Sequence, residues 1–166
     1  MPRVFVSIGS NIDRDKNVRT AVKLLDALYR PLALSTVYES GAIGFDGHNF
    51  YNLVAGFDTD HPIEEVAKRL VRIEHECGRE RGGRAPESRT LDLDLLLYGH
   101  LCQHGEDFDV PRPEIRQYAF VLKPLAEIAA RYKHPETGTT IGEMWRTFNH
   151  REQALWPVAF DFGLGG

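Results

Sequence analysis

The segment RTLDLDLLLYG (89–99) alternates leucine with aspartate and then becomes wholly apolar. A period of two predicts a β-strand, because successive side chains of a strand point to opposite faces of the sheet. Asp92 and Asp94 would therefore share one face, while the leucines around them point into the core. The apolar continuation indicates that this strand belongs to the interior of a folded domain.

The aspartate pair predicts a metal site. Two carboxylates on one strand face are about 7 Å apart and repel each other unless a cation lies between them. Hard oxygen ligands suit Mg²⁺, which takes one or two carboxylates together with substrate phosphates. The alternative is a solvated face of an edge strand, but aspartate is uncommon within strands. We therefore predict that Asp92 and Asp94 bind metal and serve in the transfer of a phosphate-containing group from ATP.

The run GRERGGRAPESRT (78–90), which precedes this strand, is rich in glycine and arginine. Guanidinium groups stay charged and bind phosphate oxygens in bidentate fashion. Arginine is common in exposed loops, so the run indicates a phosphate-binding loop mainly because it leads into the aspartate pair. The candidate ATP ligands in it are Arg79, Arg81, Arg84 and Arg89, of which Arg79 and Arg89 are also candidate catalytic residues.

The patterns on either side predict an α+β, ferredoxin-like fold. Strands are predicted at 3–8, 32–38 and 50–57, and helices from about Val18 to Leu28 and from Ile63 to Cys77. With the aspartate strand, the order is βαββαβ, an antiparallel sheet with two helices on one face. A turn and short helices are expected beyond about residue 110, including one at 141–148.

Local signals lie at the end of the first strand. Gly9 predicts a turn, and the short side chains of Asn11 and Asp13 are candidates to cap the following helix.

Composition limits the class of protein. The chain has 166 residues, enough for the single domain we expect over 1–166, and a net charge of −4 that argues against nonspecific nucleic-acid binding. Cys77 and Cys102 form no CxxC pair, which suits a reducing compartment. The sequence contains no run of about 18 apolar residues, so it does not predict a membrane span. We expect a cytoplasmic, monomeric protein without nucleic-acid or membrane partners.

Other polar and aromatic residues leave two interpretations open. Glu74 could help to position a nucleotide, or it could be an exposed helix carboxylate paired with an arginine. Asn52 could bind the edge of a heterocycle, or it could be a buried amide satisfied by the backbone. Phe50 and Phe120 could stack on a flat ring, although aromatic residues in strands usually belong to the core.

A zinc site is a weaker alternative. His100, Cys102 and His104 alternate and would share a face in a strand, but a fourth ligand is missing. The chain has no P-loop, HExxH, GxSxG or Rossmann glycine pattern, which argues against common hydrolases and dehydrogenases.

Several segments together resemble the 6-hydroxymethyl-7,8-dihydropterin pyrophosphokinases of folate biosynthesis, over about residues 3–130. RTLDLDLLLYG (89–99) is the most specific of them. The others, in the expected order, are SIGSN (7–11), YESGAIG (38–44), FYN (50–52), RIE and GRER within 72–81, VP (110–111) and FVLKPLAEIA (120–129).

The resemblance implies a reaction and assigns roles. Two Mg²⁺ ions held by Asp92 and Asp94 would bridge ATP, whose pyrophosphoryl group passes to the pterin hydroxymethyl group and leaves AMP. The implied pterin-binding residues are Ser40, Ala42, Phe50, Asn52, Asp92 and Phe120. The implied ATP-binding residues are Glu74, Arg79, Arg81 and Arg89, to which we add Arg84 of the basic run and Arg112 as further candidates.

The sequence also departs from the family pattern. Pro86, Glu87 and Ser88 stand where the family has tryptophan, glycine and proline. Arg112 replaces a histidine and Tyr118 an arginine, so Arg112 or Arg116 is the candidate source of the missing charge. Gly41 and Ala42 replace the usual prolines. The alternatives are a divergent paralogue that acts on another hydroxylated small molecule, and a non-catalytic nucleotide- or pterin-binding domain.

Overall fold

An antiparallel sheet organises the chain in the computed structural model, which describes residues 1–41, 49–78 and 91–164. The strands are β1 (Arg3–Ser10), β2 (Ala33–Leu34), β3 (Val37–Ser40), β4 (Phe50–Asp58), β5 (Asp92–Tyr98), β6 (Gln103–His104), β7 (Asp109–Val110) and β8 (Leu155–Val158). The helices are α1 (Arg14–Tyr29), α2 (Ile63–Glu76), α3 (Ala119–Ala129) and α4 (Ile141–Thr147), with a 3₁₀ turn at Pro113–Arg116.

The predicted ferredoxin-like topology is confirmed. The sheet has the order β5-β1-β4-β3-β8, and β2 pairs with β4. The elements β1, α1, β3, β4, α2 and β5 follow the βαββαβ pattern, and all the pairings between their strands are antiparallel. The first strand, β1, therefore lies between β4 and β5 and sets the register of both.

Helices cover both faces of the sheet. Val4, Val6 and Ile8 of β1 belong to one buried cluster together with the apolar residues of α1 and α2. Phe5 points the other way, into a second cluster formed with α3 and Ile141 of α4. This alternation follows from the period-two geometry of the strand. The C-terminal helices thus add a third layer to the fold.

A bulge explains the run of leucines in β5. Val6 of β1 pairs with Leu95, whereas Phe5 pairs with Leu97, so Leu96 is an extra residue on β5. Leu95 lies in the first cluster, and both Leu96 and Leu97 lie in the second. The bulge therefore lets two consecutive leucines be buried on the same face.

Several local predictions were wrong. The strand expected at 32–38 is divided into β2 and β3, and between them Ser35 binds Val54 through its backbone N–H (3.0 Å) and its hydroxyl oxygen (2.9 Å). Gly9 lies within β1 and not in a turn. Asp13 precedes α1 in a left-handed conformation (φ 44°), and its side chain makes no capping hydrogen bond.

The helix predicted at 141–148 is present as α4, but β8 was not predicted. In the described part of the chain, none of the helices has the length and apolarity that crossing a membrane requires.

Candidate active site

The aspartate pair lies at the start of β5, as predicted, on the sheet face opposite the buried Leu93. Both carboxylates are half-buried. Burial and the neighbouring Asp92 carboxylate together raise the pKa of Asp94 to about 7, against the opposing effect of the Arg112 guanidinium. Two half-buried carboxylates on one strand face are the oxygen ligands that suit a divalent cation.

Asp92 and Asn52 lie in one row across three strands. Gly9 of β1 pairs with Asp92 on one side and with Asn52 of β4 on the other. Residues paired in this way share a face, and two strand spacings separate the Cα atoms of Asp92 and Asn52 by about 10 Å. Gly9 places no side chain between the carboxylate and the amide, and a Cβ atom there would lie 3.2 Å from the Asn52 Oδ1 atom.

Glu74 is buried, with 7% of its surface exposed, so the interpretation as an exposed helix carboxylate is wrong. Its carboxylate accepts a hydrogen bond of 2.8 Å from the backbone N–H of Leu93. Leu93 lies between the two aspartates on β5, which is an edge strand of the sheet. Glu74 therefore satisfies an edge N–H and fixes the backbone that carries the aspartate pair.

Arg112 contacts the aspartate pair directly. Its guanidinium lies 3.4 Å from Asp94 and 2.9 Å from Glu114, and its backbone N–H donates to Leu96 on β5. Arg116, the other candidate for the missing positive charge, instead forms an ion pair of 3.2 Å with Glu136. Arg112 and Glu74 also line a cavity of about 370 Å³ beside the two aspartates.

The predicted pterin residues Asn52 and Ser40 are both buried, and the Asn52 amide donates to the Ser40 hydroxyl at 2.8 Å. The Asn52 amide is thus satisfied in part by a side chain. Phe50 lies half-buried opposite Ser40 on β4. Phe120, at the start of α3, stacks on Tyr118 with ring centroids 5.0 Å apart.

A second cavity of about 440 Å³ lies beside these residues. It is lined by Ser40, Gly41 and Phe120 and, on its other side, by residues 152–156. The contribution of this C-terminal segment was not predicted. The sequence offered only a short apolar run there, and that run carries no motif.

Five predicted site residues lie outside the described residues. They are Ala42, Arg79, Arg81, Arg84 and Arg89. The same holds for the departures at Pro86, Glu87 and Ser88.

The three zinc candidates do not converge. His100 stacks on Tyr132, and His104 binds Asp109 and Glu136 with its two ring nitrogens. The thiol of Cys102 lies 4.0 Å from a backbone oxygen of His100. Across residues 1–41, 49–78 and 91–164, no three histidine, cysteine, aspartate or glutamate side chains are arranged to hold a metal ion together.

Comparison with known proteins agrees with the family resemblance of the sequence and with the α+β fold. Residues 5–130 match the family model described as 7,8-dihydro-6-hydroxymethylpterin-pyrophosphokinase (HPPK). The chain belongs to this family.

Individual relatives support the same assignment. The chain is 34% identical to the 2-amino-4-hydroxy-6-hydroxymethyldihydropteridine pyrophosphokinase of Aquifex aeolicus, over 81% of this chain and 85% of that protein. For the enzyme of the same name from Bacillus subtilis the identity is 35%, over 80% and 81%. The folic acid synthesis protein fol1 of Pneumocystis carinii is also 34% identical, but the match spans only 19% of that longer protein.

The fold also matches solved structures. A crystal structure of Plasmodium falciparum HPPK-DHPS superposes with a TM-score of 0.66, over 87% of this chain and 43% of that one. The sequence identity is 12%, so this likeness concerns the fold alone.

Proposed function

We propose that this protein transfers the pyrophosphoryl group of ATP to the hydroxymethyl group of 6-hydroxymethyl-7,8-dihydropterin, giving AMP and the pterin diphosphate. The observation that carries the proposal is the row Asp92–Gly9–Asn52. Asp92, which we assign to metal, and Asn52, which we assign to the heterocycle, share one face of the sheet, and Gly9 between them carries no side chain. A pterin on Asn52 would direct its hydroxymethyl group toward phosphates held at the aspartates.

Asp92 and Asp94 would hold magnesium, with two ions per ATP. The fit is supported by two half-buried carboxylates on one strand face, where burial and the Asp92 charge raise the pKa of Asp94. Bound Mg²⁺ would neutralise charge that develops on the transferring phosphates. The role of the protein would be to position the two carboxylates, because Glu74 fixes the strand between them.

Positive charge for ATP would come from arginines. Arg112 already lies against Asp94 and can exchange that contact for a phosphate oxygen, because a guanidinium binds either group in the same geometry. Arg79, Arg81 and Arg89 are assigned to ATP by their position in the family motifs and Arg84 by the basic run between them, and Arg79 and Arg89 are also our candidate catalytic residues. Glu74 would act on ATP only through the strand that it holds.

The pterin would bind beside Ser40 and Asn52. A pterin is a flat ring with donors and acceptors along one edge, and an amide offers one donor group and one acceptor. The Asn52 Oδ1 atom faces the space above Gly9, from which a Cβ atom at Gly9 would be 3.2 Å away. Phe50 and Phe120 supply aromatic surface, and Ala42 belongs to the segment that follows Ser40.

A second candidate is transfer to a different hydroxylated ring. The stack of Tyr118 on Phe120 favours it, because a tyrosine stands where the family has an arginine and changes the surface beside the proposed ring site. The acceptor would then be a related flat heterocycle, with the aspartate pair in the same role.

The test is AMP release from Mg-ATP with and without 6-hydroxymethyl-7,8-dihydropterin. The variants Asp92→Asn and Asp94→Asn are each expected to lower pterin-dependent AMP at least about a hundredfold. Asp60→Asn, at an exposed aspartate, is the matched control and should leave the rate unchanged. AMP release that appears only with another hydroxylated heterocycle would favour the second candidate. ATP and pterin binding without any AMP would overturn the catalytic proposal.

A further inference from the structure

The C-terminal segment returns to the sheet next to the proposed pterin site. The family match ends at residue 130, but β8 (Leu155–Val158) pairs with β3, which carries Ser40. In this pairing Leu155 lies opposite Ser40. Residues outside the family-matched region therefore lie beside a residue assigned to the substrate.

Gln153 joins this segment to the start of α3. Its side-chain oxygen accepts a hydrogen bond of 2.7 Å from the N–H of Ala119, and its side-chain nitrogen donates to the carbonyl of Gln117 at 3.1 Å. The two contacts lie on either side of Tyr118. The first also satisfies one of the N–H groups that a helix leaves free in its first turn.

Phe120 is the next residue of that helix. Its ring stacks on that of Tyr118, the residue that lies in the chain between the two backbone groups that Gln153 binds. A single amide therefore fixes the backbone on both sides of the aromatic pair.

The same segment closes the cavity of about 440 Å³. Residues 152–156 line one side, opposite Phe120 and Ser40. Trp156 pairs with Glu39 and not with Ser40, so the alternation of the strand directs its indole to the other face of the sheet. The wall on the Phe120 side is therefore formed by residues 152–155, in which Ala154 is exposed.

We propose that residues 152–155 form a wall of the pterin pocket and that Gln153 is a positioning residue for Phe120. This inference rests on the proposed function, because it takes the 440 Å³ cavity as part of the pterin site. A flat heterocycle would lie with Phe120 on one side and the C-terminal segment on the other.

Two variants test the two parts separately. Gln153→Met keeps the side-chain length and removes both hydrogen bonds, so the KM for the pterin should rise about tenfold. Ala154→Trp places a large ring at the exposed wall and should raise the same KM at least about tenfold. In both variants the KM for ATP should stay within error, and Gln153→Met should also lower the unfolding temperature, because the Ala119 N–H loses its acceptor. Gln153→Glu, which keeps only the acceptor, should fall between wild type and Gln153→Met.

Matched controls repeat the same substitutions elsewhere. Gln103→Met changes an exposed glutamine on β6, and Ala159→Trp changes an exposed alanine beyond β8. Neither should alter the pterin KM. A fall in unfolding temperature with equal changes in both KM values would mean that Gln153 is merely structural, and would overturn the positioning role.

The outcomes separate this inference from the proposed function. An active wild-type enzyme whose pterin KM is unchanged in Gln153→Met overturns the positioning role, and one unchanged in Ala154→Trp overturns the wall. A wild-type protein that neither binds nor converts the pterin overturns the inference and the proposed function together.

Discussion

Gly9 pairs with Asp92 on β5 and with Asn52 on β4, and it places no side chain between them. The sequence pattern indicated a turn at this position, because glycine is frequent in turns. Its role depends on Asp92 and Asn52, which lie on the two adjacent strands and are remote from Gly9 in sequence. Only the register of β1 brings the three residues together. The site residues on β4 and β5 could be proposed from the sequence, but the position of Gly9 between them could not.

Gly9→Ala tests whether the pterin binds beside Gly9 and Asn52. The added Cβ atom would lie 3.2 Å from the Asn52 Oδ1 atom, so the amide must move by a few tenths of an ångström. We expect the KM for the pterin to rise about threefold to tenfold while the KM for ATP is unchanged, measured by steady-state AMP release. Gly105→Ala, where the added Cβ atom would lie 3.7 Å from the Phe108 carbonyl oxygen, is the control. An unchanged pterin KM in Gly9→Ala would contradict a pterin site at Asn52.

Glu74 offers a second test at this scale. Glu74→Leu leaves the Leu93 N–H without its carboxylate partner, so we expect a loss of about 1–3 kcal/mol in the free energy of unfolding, measured by urea denaturation. Glu74→Gln retains an acceptor oxygen and should lose less. Glu76→Leu, at an exposed position of the same helix, is the control. Equal stability of Glu74→Leu and wild type would show that the contact does not hold β5.

Secondary-structure elements were predictable where one periodicity persists. The strands β1 and β4 and the helices α1 and α2 followed from apolar spacing, and α4 from a short run of the same kind. The division between β2 and β3 was not predictable, because Ser35 interrupts the strand through contacts with Val54, nineteen positions away along the chain. The strand β8 depends on the exposed edge of β3, and a four-residue sequence cannot specify that partner.

The turn between α3 and α4 contains a buried histidine. The Nδ1 atom of His134 accepts hydrogen bonds from the N–H groups of Glu136 and Thr137, which requires an unprotonated Nδ1. Burial lowers the pKa of His134, and the charge of Arg116 lowers it further. The unfolded chain therefore binds a proton at this position at a higher pH than the folded chain does.

The sign of the pH dependence follows from this difference. Below the unfolded pKa of about 6.5, the unfolded state binds more protons, so stability falls as the pH is lowered until the folded pKa is reached. We expect His134→Asn, whose amide oxygen can accept but does not titrate, to lose less stability than wild type between pH 7.5 and pH 5. Urea denaturation at both pH values measures the loss in the free energy of unfolding. His104 is present in both proteins, so its titration does not contribute to the difference between them. The same loss in the variant would contradict a buried neutral His134.

At the scale of the whole molecule, the two faces of the sheet have different roles. One face packs on α1 and α2 and supplies the first buried cluster. The other carries Asp92, Asn52 and Ser40 at one end and packs on α3 and α4 at the other. The sequence allowed the βαββαβ order and the metal ligands to be proposed, because both depend on local periodicity. The third layer and the C-terminal wall depend on long-range packing.

The central claim is that the face bearing these residues transfers a pyrophosphoryl group and not a single phosphoryl group. Phosphorus-31 NMR of the protein with Mg-ATP and 6-hydroxymethyl-7,8-dihydropterin distinguishes the two outcomes. We predict resonances of AMP and of a diphosphate ester that appear together in equal amounts, without ADP, and only when the pterin is present. ADP with a phosphate monoester, or unchanged ATP in the presence of folded protein and pterin, would contradict the account.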